Sequence, residues 1–379
     1  MSSDKPKRKF RLLTTVIFFL NLPVLMLLIG SYLAFYIDPV SSTLFALAGL
    51  AYPFILLLNI LFLIFWIFTK IKYAILLLVF ILLGWNHMGR VIQFKGSEIK
   101  EEQESFKILS YNVQNFVKEN VSTTRYVTDQ KIRNDITNFI KNQEADIICI
   151  QEFLYDGKDY DRFGKIFGKV FNCPSYFMKN YYDAIRGKLE SIATFSRFPM
   201  LENGSLVNDE KTFGIYSDLL IGNDTIRLYN LHLASIHFKK EDYDFINDIT
   251  ENQSQQEFKK NTLNIISKLR TAFVKRSRQV SILESHIAGC PYPMIVCGDF
   301  NDTPLSYAYH KTSRGLKDSF VESGSGFGTT FNEETFPAIR IDYIFHSPVF
   351  TSGDFNRYKI PYSDHYPISC KLSKQEFAE

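Results

Sequence analysis

Met294-Ile295-Val296-Cys297-Gly298-Asp299-Phe300-Asn301 joins an apolar, strand-like run to a short polar motif. The same arrangement recurs earlier in the chain, where Ile147-Ile148-Cys149-Ile150 precedes Gln151 and Glu152. An uninterrupted apolar run of this length is typical of a strand that is buried on both faces of a sheet. Because the ends of such strands converge on one edge, the polar motifs predict a shared site there.

Several further motifs place amide, carboxylate and imidazole groups at the ends of apolar runs. They are Ile108-Leu109-Ser110-Tyr111-Asn112, Asn230-Leu231-His232-Leu233, Arg340-Ile341-Asp342-Tyr343 and Ser363-Asp364-His365. Carboxylates and amides are suitable ligands for a hard divalent cation, and a histidine near neutral pKa can donate a proton. This set can hold a cation, activate a water molecule and stabilise a pentacovalent phosphate.

The residues of these motifs and their order resemble those of the endonuclease/exonuclease/phosphatase superfamily, the DNase I-like proteins, over residues 106–375. Ala193-Thr194-Phe195-Ser196-Arg197-Phe198-Pro199 also fits the pattern of that family. Any one motif would be weak, but the whole set in the order of the family is specific. The resemblance implies an α/β fold, a four-layer sandwich of two packed β-sheets flanked by helices. It also implies a hydrolase that attacks phosphodiester or phosphomonoester bonds with in-line water.

The resemblance assigns a role to each strand-end residue. Glu152, Asn112 and Asp364 are the implied ligands of Mg²⁺, with Mn²⁺ as an alternative. Asp299 is expected to orient or deprotonate the attacking water, and Asn301 to bind a phosphate oxygen or assist Asp299. The remaining expectations are a catalytic His232, a catalytic His365 oriented by Asp342, and substrate contacts from Asn230 and Arg197.

The residues between these motifs predict alternating strands and helices. Ile132, Ile136, Phe139 and Ile140 recur at helical spacing, with Thr128 or Asp129 as the N-cap. Gly222-Asn223-Asp224 predicts the turn of a hairpin. Strands are expected at 106–111, 146–150, 213–220, 225–231, 294–297, 341–345 and 368–372.

Residues 1–94 predict a helical transmembrane region, followed by a charged linker at 95–105. The predicted spans are 12–37, 43–69 and 71–89, since a helix of ~20 apolar residues crosses a bilayer. The third run reaches this length only with its polar flanks, so the sequence leaves open whether it crosses the membrane. A retained anchor fits the first run better than a cleaved signal peptide, because the run is long and no cleavage site is evident.

The positive charges predict the orientation of this region. Lys and Arg residues precede the first span, and Lys70 and Lys72 follow the second. Because basic flanks stay in the cytoplasm, the N-terminus and the turn at residues 70–72 are expected there. With three spans, the chain is a multi-pass protein of the bacterial inner membrane whose catalytic domain is periplasmic. If the third run is only re-entrant, the domain is cytoplasmic.

Charge narrows the choice of substrate. The net charge of +3 combines +7 in residues 1–100 with −4 in the remainder. The soluble part therefore has no basic excess for gripping duplex DNA. A lipid headgroup or a small phosphorylated metabolite is favoured, a nuclease is the close alternative, and a non-catalytic scaffold is the alternative of another class. The lipid bilayer is the one further expected partner, and no protein partner is inferred.

Two features remain open in the sequence. The segment 236–275 is longer than a simple connection needs, and either shapes the substrate groove, faces the membrane or only packs as a helical insertion. The five cysteines are an odd number without metal-type spacing, so they predict no disulfide framework.

Overall fold

The computed structural model describes residues 4–100, 103–116, 129–155, 160–182, 189–236, 238, 240–247, 254–331 and 339–374. Two six-stranded sheets pack face to face, helices cover their outer faces, and a group of apolar helices precedes them. This architecture confirms the predicted α/β sandwich. The predicted N-cap Thr128 lies outside the described residues.

The described part of the chain contains fourteen strands, eleven α-helices and a 3-10 helix at Gln114–Phe116. The strands are β1 (Ile92–Gln93), β2 (Ser105–Asn112), β3 (Ile147–Tyr155), β4 (Ser175–Tyr182), β5 (Leu189–Ser196), β6 (Met200–Asn208), β7 (Lys211–Ile221), β8 (Asp224–His232), β9 (Met294–Asp299), β10 (Lys317–Asp318), β11 (Gly326–Phe327), β12 (Asp342–His346), β13 (Phe350–Arg357) and β14 (Ile368–Lys374). The helices are α1 (Asp4–Leu33), α2 (Thr43–Leu50), α3 (Tyr52–Thr69), α4 (Ile71–Leu83), α5 (Trp85–Gly89), α6 (Gln130–Asn142), α7 (Tyr160–Phe171), α8 (Lys240–Asn247), α9 (Gln255–Ala288), α10 (Tyr307–Ser313) and α11 (Ser319–Ser323).

The two sheets share one pattern of pairing. Their strand orders are β13-β14-β2-β3-β5-β4 and β10-β12-β9-β8-β7-β6. In each sheet the two central strands, β2 and β3 or β8 and β9, run parallel, and their other neighbours are antiparallel. Each parallel pair is joined by a helical crossover, as parallel strands require. The last residues of these central strands therefore face the same edge of the sandwich.

Apolar packing accounts for the four layers. The space between the sheets is filled by the apolar runs of the central strands, including Ile108, Cys149 and Cys297. Helices α6 and α7 cover the first sheet, and α9 and α10 cover the second. All five cysteines are free thiols, and the sequence predicted no disulfide framework.

Local signals explain where the elements begin and turn. The Asp129 carboxylate accepts hydrogen bonds from the backbone amides of Lys131 and Ile132 and caps α6, as predicted. Ile221 pairs with Asp224 across the predicted hairpin turn, in which Gly222 has a φ of 61°. Glycine adopts this left-handed conformation without steric cost.

The N-terminal helices differ in detail from the predicted spans. Phe10–Leu33 and Tyr52–Thr69 are long and apolar enough to cross a membrane, and Phe10–Leu33 also has the position of a signal sequence. The predicted span 43–69 is divided into α2 and α3, because Pro53 lies in the first turn of α3. Proline is favoured at this position of a helix, where its missing N–H would have no helical partner. The third run forms α4, which has 13 residues, and the short helix α5.

The predicted linker lies along the second half of the chain. The Ser97 carbonyl accepts a hydrogen bond from the backbone amide of Asp354, and Ile99 lies against Gly353 of β13. Upstream, β1 pairs with β11. The connection between the helices and the sandwich is therefore packed against the sandwich.

Candidate active site

The central strands of both sheets end at one edge, and there they bring the predicted polar residues together. Asn112 is the last residue of β2, and His232 and Asp299 are the last residues of β8 and β9. The register pairs Asp299 with both His232 and Asp342, because β9 lies between β8 and β12. Residues that are far apart in sequence thus become direct neighbours.

Glu152 reaches this edge through an irregularity in β3. The pairing of β3 with β5 shifts between Ile150 and Phe153, and Glu152 has a φ of 52°. Bulges of this kind redirect a side chain and often occur beside active sites. The Asn112 amide nitrogen lies 3.1 Å from Oε1 of Glu152 and 2.9 Å from Oδ2 of Asp299. One amide thus joins a carboxylate of the first sheet to a carboxylate of the second.

Asp299 is almost fully buried and tightly held. Its Oδ1 accepts the backbone N–H of Asn301 at 2.8 Å, and its Oδ2 accepts the Asn301 amide at 3.1 Å. Burial raises the pKa of Asp299, and the nearby Asp342 carboxylate adds to this effect. Gly298 permits the geometry, because a Cβ atom there would lie 2.0 Å from the Leu231 carbonyl oxygen. The φ of 130° at Gly298 also favours glycine.

His365 and Asp342 form a buried pair next to Asp299. Nδ1 of His365 lies 2.9 Å from Oδ2 of Asp342, and Nε2 lies 3.7 Å from Oδ2 of Asp299. Burial by itself would lower the pKa of His365, but the carboxylates of Asp342, Asp299 and Asp364 outweigh it and raise that pKa well above its usual value. The geometry therefore favours a charged imidazolium with Nε2 directed at the Asp299 side of the site.

A second group of ionisable side chains lies around Glu152. One ligand atom each from Glu152, Glu190 and His232 lie within 4.8 Å of one another. Nε2 of His232 is 3.5 Å from Glu152 and 3.6 Å from Asp299. Burial, and then the Glu152 carboxylate, raise the pKa of Glu190 to about 8. Sequence reasoning missed Glu190, and its only signal is a carboxylate inside the strand-like run Leu189-Glu190-Ser191-Ile192-Ala193.

This second group fits a divalent cation. Two carboxylates this close repel each other unless a proton or a cation neutralises one of them. Glu152 and Glu190 supply the carboxylate oxygens that Mg²⁺ and Mn²⁺ prefer. The Asn112 amide nitrogen lies 3.1 Å from Glu152 and the Asn112 oxygen accepts the Gln114 backbone N–H, so Asn112 orients Glu152. Asp364, the other predicted metal ligand, lies outside both groups. The Ser363 hydroxyl donates to the Asn112 carbonyl oxygen at 2.8 Å and lies 3.2 Å from Oδ1 of Asp364.

Asn230 has a different position from the one predicted. It is fully buried, its amide nitrogen donates to the Ala193 carbonyl at 2.9 Å, and its oxygen accepts from Gln151 at 2.6 Å. Because β8 belongs to one sheet and β3 and β5 to the other, Asn230 ties the sheets together below the site. The predicted substrate contact is corrected, since this side chain has no exposed surface.

Arg197 is also not part of the site. It follows the last residue of β5, which pairs with Ile147 at the start of β3. Glu152 lies five residues further along β3, which is about 17 Å at the rise of a strand. The guanidinium of Arg197 lies 2.6 Å from Asp146, at the opposite edge of the sandwich. The predicted substrate contact of Arg197 is therefore corrected as well.

Residues 109–365, more than half of the chain, match the model of the endonuclease/exonuclease/phosphatase family. The chain therefore belongs to this family, whose enzymes hydrolyse phosphoester bonds and generally depend on divalent metal ions. Residues 14–91 match a second model, described as a domain of unknown function (DUF8431). No curated protein matches the chain.

Solved structures similar to this chain include two that are described as endonuclease/exonuclease/phosphatase proteins. The endonuclease/exonuclease/phosphatase from Beutenbergia cavernae is 16% identical with a TM-score of 0.51, and the match covers 72% of each chain. A family protein from Bacteroides thetaiotaomicron is 18% identical with a TM-score of 0.47, over 72% of this chain and 99% of that chain. The human Nocturnin catalytic domain with bound sulfate anion is 16% identical with a TM-score of 0.46, over 72% of this chain and 95% of that chain.

Proposed function

We propose that this chain is a membrane-anchored, divalent-metal-dependent phosphoesterase that hydrolyses its substrate by in-line attack of water. One observation carries this proposal: Asn112 joins Glu152 and Asp299, and His232 lies within 3.6 Å of both carboxylates. Carboxylate, amide and imidazole groups therefore surround one small space, as metal-assisted hydrolysis of a phosphoester requires. Family membership supports the reaction class.

Glu152 and Glu190 are the residues that would hold the cation, Mg²⁺ or Mn²⁺, and Asn112 orients the Glu152 carboxylate. When bound, it would supply positive charge that stabilises the phosphate oxygens. Asn112 also keeps Glu152 and Asp299 at a fixed separation, since its amide contacts both carboxylates.

Asp299 is the proposed base. Its raised pKa favours proton uptake from the attacking water, and general base catalysis of this kind accelerates a reaction typically by 10²- to 10⁴-fold. The two hydrogen bonds from Asn301 fix the orientation of the carboxylate before the substrate arrives. Asn301 thus acts mainly by positioning Asp299.

His365 and His232 lie on either side of Asp299 and are the proposed contacts of the non-bridging phosphate oxygens. Asp342 holds the His365 ring by its Nδ1 atom and stabilises the imidazolium, so that Nε2 can donate a hydrogen bond. Charge on the phosphate increases during attack, and donors already in position stabilise it without reorganisation.

Membrane anchoring rests on the exposed faces of α1, α3 and α4. Leu12, Phe19, Met26, Leu61, Phe68 and Leu83 are among their large apolar side chains that are more than half exposed. Soluble proteins rarely expose apolar patches of this size. Asn21 of α1 accepts a hydrogen bond from the Trp66 indole, which brings the basic N-terminus of α1 to the same end of the helices as Lys70 and Lys72. A cytoplasmic location of that end puts the catalytic domain in the periplasm, with α4 as a third crossing.

A lipid headgroup or a small phosphorylated metabolite is the proposed substrate class. The net charge of −4 beyond residue 100 disfavours a general grip on duplex DNA, where counterion release needs a basic face. Retention of every ionisable or amide residue at the strand ends disfavours a scaffold that has lost its chemistry. Nuclease activity is an outcome that the following experiment can reveal.

The test is turnover by the full chain in nanodiscs, with Mg²⁺, Mn²⁺ or EDTA, on DNA, RNA, phospholipids, inositol phosphates and a generic phosphodiester. We expect metal-dependent release from one class and a loss of roughly 10³-fold in Asp299→Asn. Asp224→Asn, a substitution at an exposed aspartate, is the matched control and should retain activity. Near-wild-type turnover in Asp299→Asn, or no turnover of any class by folded, metal-loaded protein, would contradict the proposal.

A further inference from the structure

Two segments that leave the catalytic edge run directly onto the N-terminal helices. Leu305, four residues after Asn301, is buried with Leu28 of α1 and Tyr52 of α3. Ile236, four residues after His232, packs with α2 and α9. The segments that follow the strands at the catalytic edge therefore pack against the apolar helices.

The catalytic domain contacts one end of the helical group. The Tyr32 and Tyr52 rings at the C-terminal end of α1 and the N-terminal end of α3 lie 6.1 Å apart. Between these helices, α2 packs its Ala46 against Leu269 and Phe273 of α9. Asp38, in the turn before α2, accepts a hydrogen bond from Ser277 at 2.6 Å. Helix α2 and this turn therefore form the junction where the proposed membrane region meets the sandwich.

Helix α9 extends past the catalytic edge at this junction. Its C-terminal half packs on the second sheet through Val280 and Leu283. Arg276 contacts the loop after β9 through Asp302, at 2.9 Å, and the segment after β8 through the Ala234 carbonyl. The residues from Gln255 to Arg276 thus project beyond the strand ends, over about 32 Å at the rise of an α-helix.

The projecting half of α9 has an unusual surface. Phe258, Leu263 and Ile266 are 44%, 56% and 39% exposed. Exposed charged residues accompany them, and the basic Lys259, Lys260, Arg270 and Lys275 outnumber the acidic Glu257. The adjoining turn between α1 and α2 exposes Tyr36 and Val40, and the first turn of α2 exposes Leu44. Exposed apolar side chains among basic ones are typical of helices that lie in the headgroup layer of a membrane with anionic lipids.

We propose that the projecting half of α9, with the turn between α1 and α2, is a membrane-contacting surface that directs the catalytic edge toward an anionic bilayer. This inference rests on the proposed membrane anchoring, because the adjacent helices α1 and α3 set the position of the bilayer. It gives a role to residues 255–275 of the long segment 236–275. The mouth of the site then opens beside the layer in which phospholipid phosphates lie.

The test is the location of three spin labels on the full chain in nanodiscs of zwitterionic and anionic phospholipid. Leu263→Cys labels α9, Leu61→Cys labels α3, and Leu201→Cys labels β6 on the sandwich, and these leucines are 56%, 54% and 57% exposed. Cys290, the one thiol among the five that is not buried, is replaced by serine throughout. Collision of each label with oxygen, which concentrates in lipid, and with a water-soluble nickel complex gives its depth.

We expect the labels at Leu263 and Leu61 to collide preferentially with oxygen, and the label at Leu201 with nickel. If the Leu263 label behaves like that at Leu201 while the Leu61 label is in lipid, the inference fails and membrane anchoring survives. If the Leu61 label is also in water, membrane anchoring fails too. Ile266→Cys replaces Leu263→Cys if the latter does not retain the circular dichroism of the parent protein.

Discussion

Strand β12 carries a histidine–carboxylate pair at each end, and the two pairs differ in what surrounds them. At the catalytic edge, Asp342 lies 2.9 Å from His365. At the opposite edge, His346 lies 2.9 Å from Glu322. Both histidines are buried. The short distance and the burial of the histidine therefore do not distinguish a catalytic histidine–carboxylate pair from a structural one.

The difference is in the charge balance around each pair. Glu322 accepts further hydrogen bonds from the backbone N–H of Ser352 and from Lys317. Burial would raise the pKa of Glu322, but these donors and His346 outweigh it and lower the pKa to about 2. His365, in contrast, also faces Asp299, so that two carboxylates share one imidazole. Excess negative charge at a buried edge indicates that a substrate, proton or cation completes the site.

The largest effect should come from breaking the catalytic pair. We expect Asp342→Asn to lower turnover roughly 10³-fold. The neutral asparagine amide cannot stabilise the His365 imidazolium or fix its ring as the Asp342 carboxylate does. This is about 4 kcal/mol of transition-state stabilisation. Turnover of the best substrate from the panel, with Mg²⁺ in excess, is the measurement.

The control for Asp342→Asn is Glu322→Gln, the equivalent change at the other end of β12. It should leave turnover within a factor of about two, since this pair lies outside the catalytic edge. Equal losses of turnover in both variants would mean that the two pairs are equivalent, and the contrast drawn between them would be wrong.

Glu322→Gln should instead change stability and its pH dependence. A lowered folded-state pKa means that the ionised carboxylate favours the fold above the ordinary pKa of 4.5, and that this contribution is lost as pH falls toward 2. Partial exposure screens the pair, so we expect a loss of about 1–2 kcal/mol at pH 7. Thermal unfolding between pH 7 and pH 3 measures it, and the gap between parent and variant should narrow at low pH. A constant gap would contradict the pKa argument.

Much of the fold can be predicted from the sequence because the central strands are buried on both faces. Their apolar runs leave no ambiguity of period, and the glycine turn before Asp224 fixes one hairpin. The break between α2 and α3 was missed, although Pro53 is a local signal for a new helix start. Hydropathy gives the extent of an apolar stretch but not its internal breaks.

The sequence indicated which residues meet at the candidate site where their position depends on a strand end, and missed those whose position depends on strand direction. Asn112, His232 and Asp299 needed only the rule that the ends of central strands meet. Arg197 also follows a strand, but β5 runs antiparallel to β3, so its end lies at the far edge. Glu190 lies at the near edge for the same reason. Strand direction depends on the whole topology, which no local motif encodes.

Glu190→Gln tests the residue that the motifs missed. We expect the affinity for Mg²⁺ to fall by roughly 10-fold, as is common when a ligand or its supporting group is altered. In EDTA the variant should unfold at a higher temperature than the parent, because one of two close carboxylates is removed. Glu202→Gln, at an exposed glutamate, is the matched control for both measurements. A gain of stability without a loss of affinity for Mg²⁺ would show that Glu190 destabilises the metal-free protein but does not bind the cation.

The smallest effect should come from Arg197→Ala at the far edge. Its ion pair with Asp146 is 44% exposed on the arginine side, and such pairs contribute about 0–1 kcal/mol. We expect a small fall in unfolding temperature and no change in KM, because the strand end that carries Arg197 lies about 17 Å along the sheet from Glu152. A several-fold increase in KM would restore Arg197 as a substrate contact and contradict the register of β5. Thus the same residue type that binds phosphate at many active sites here serves only to pair two strand ends.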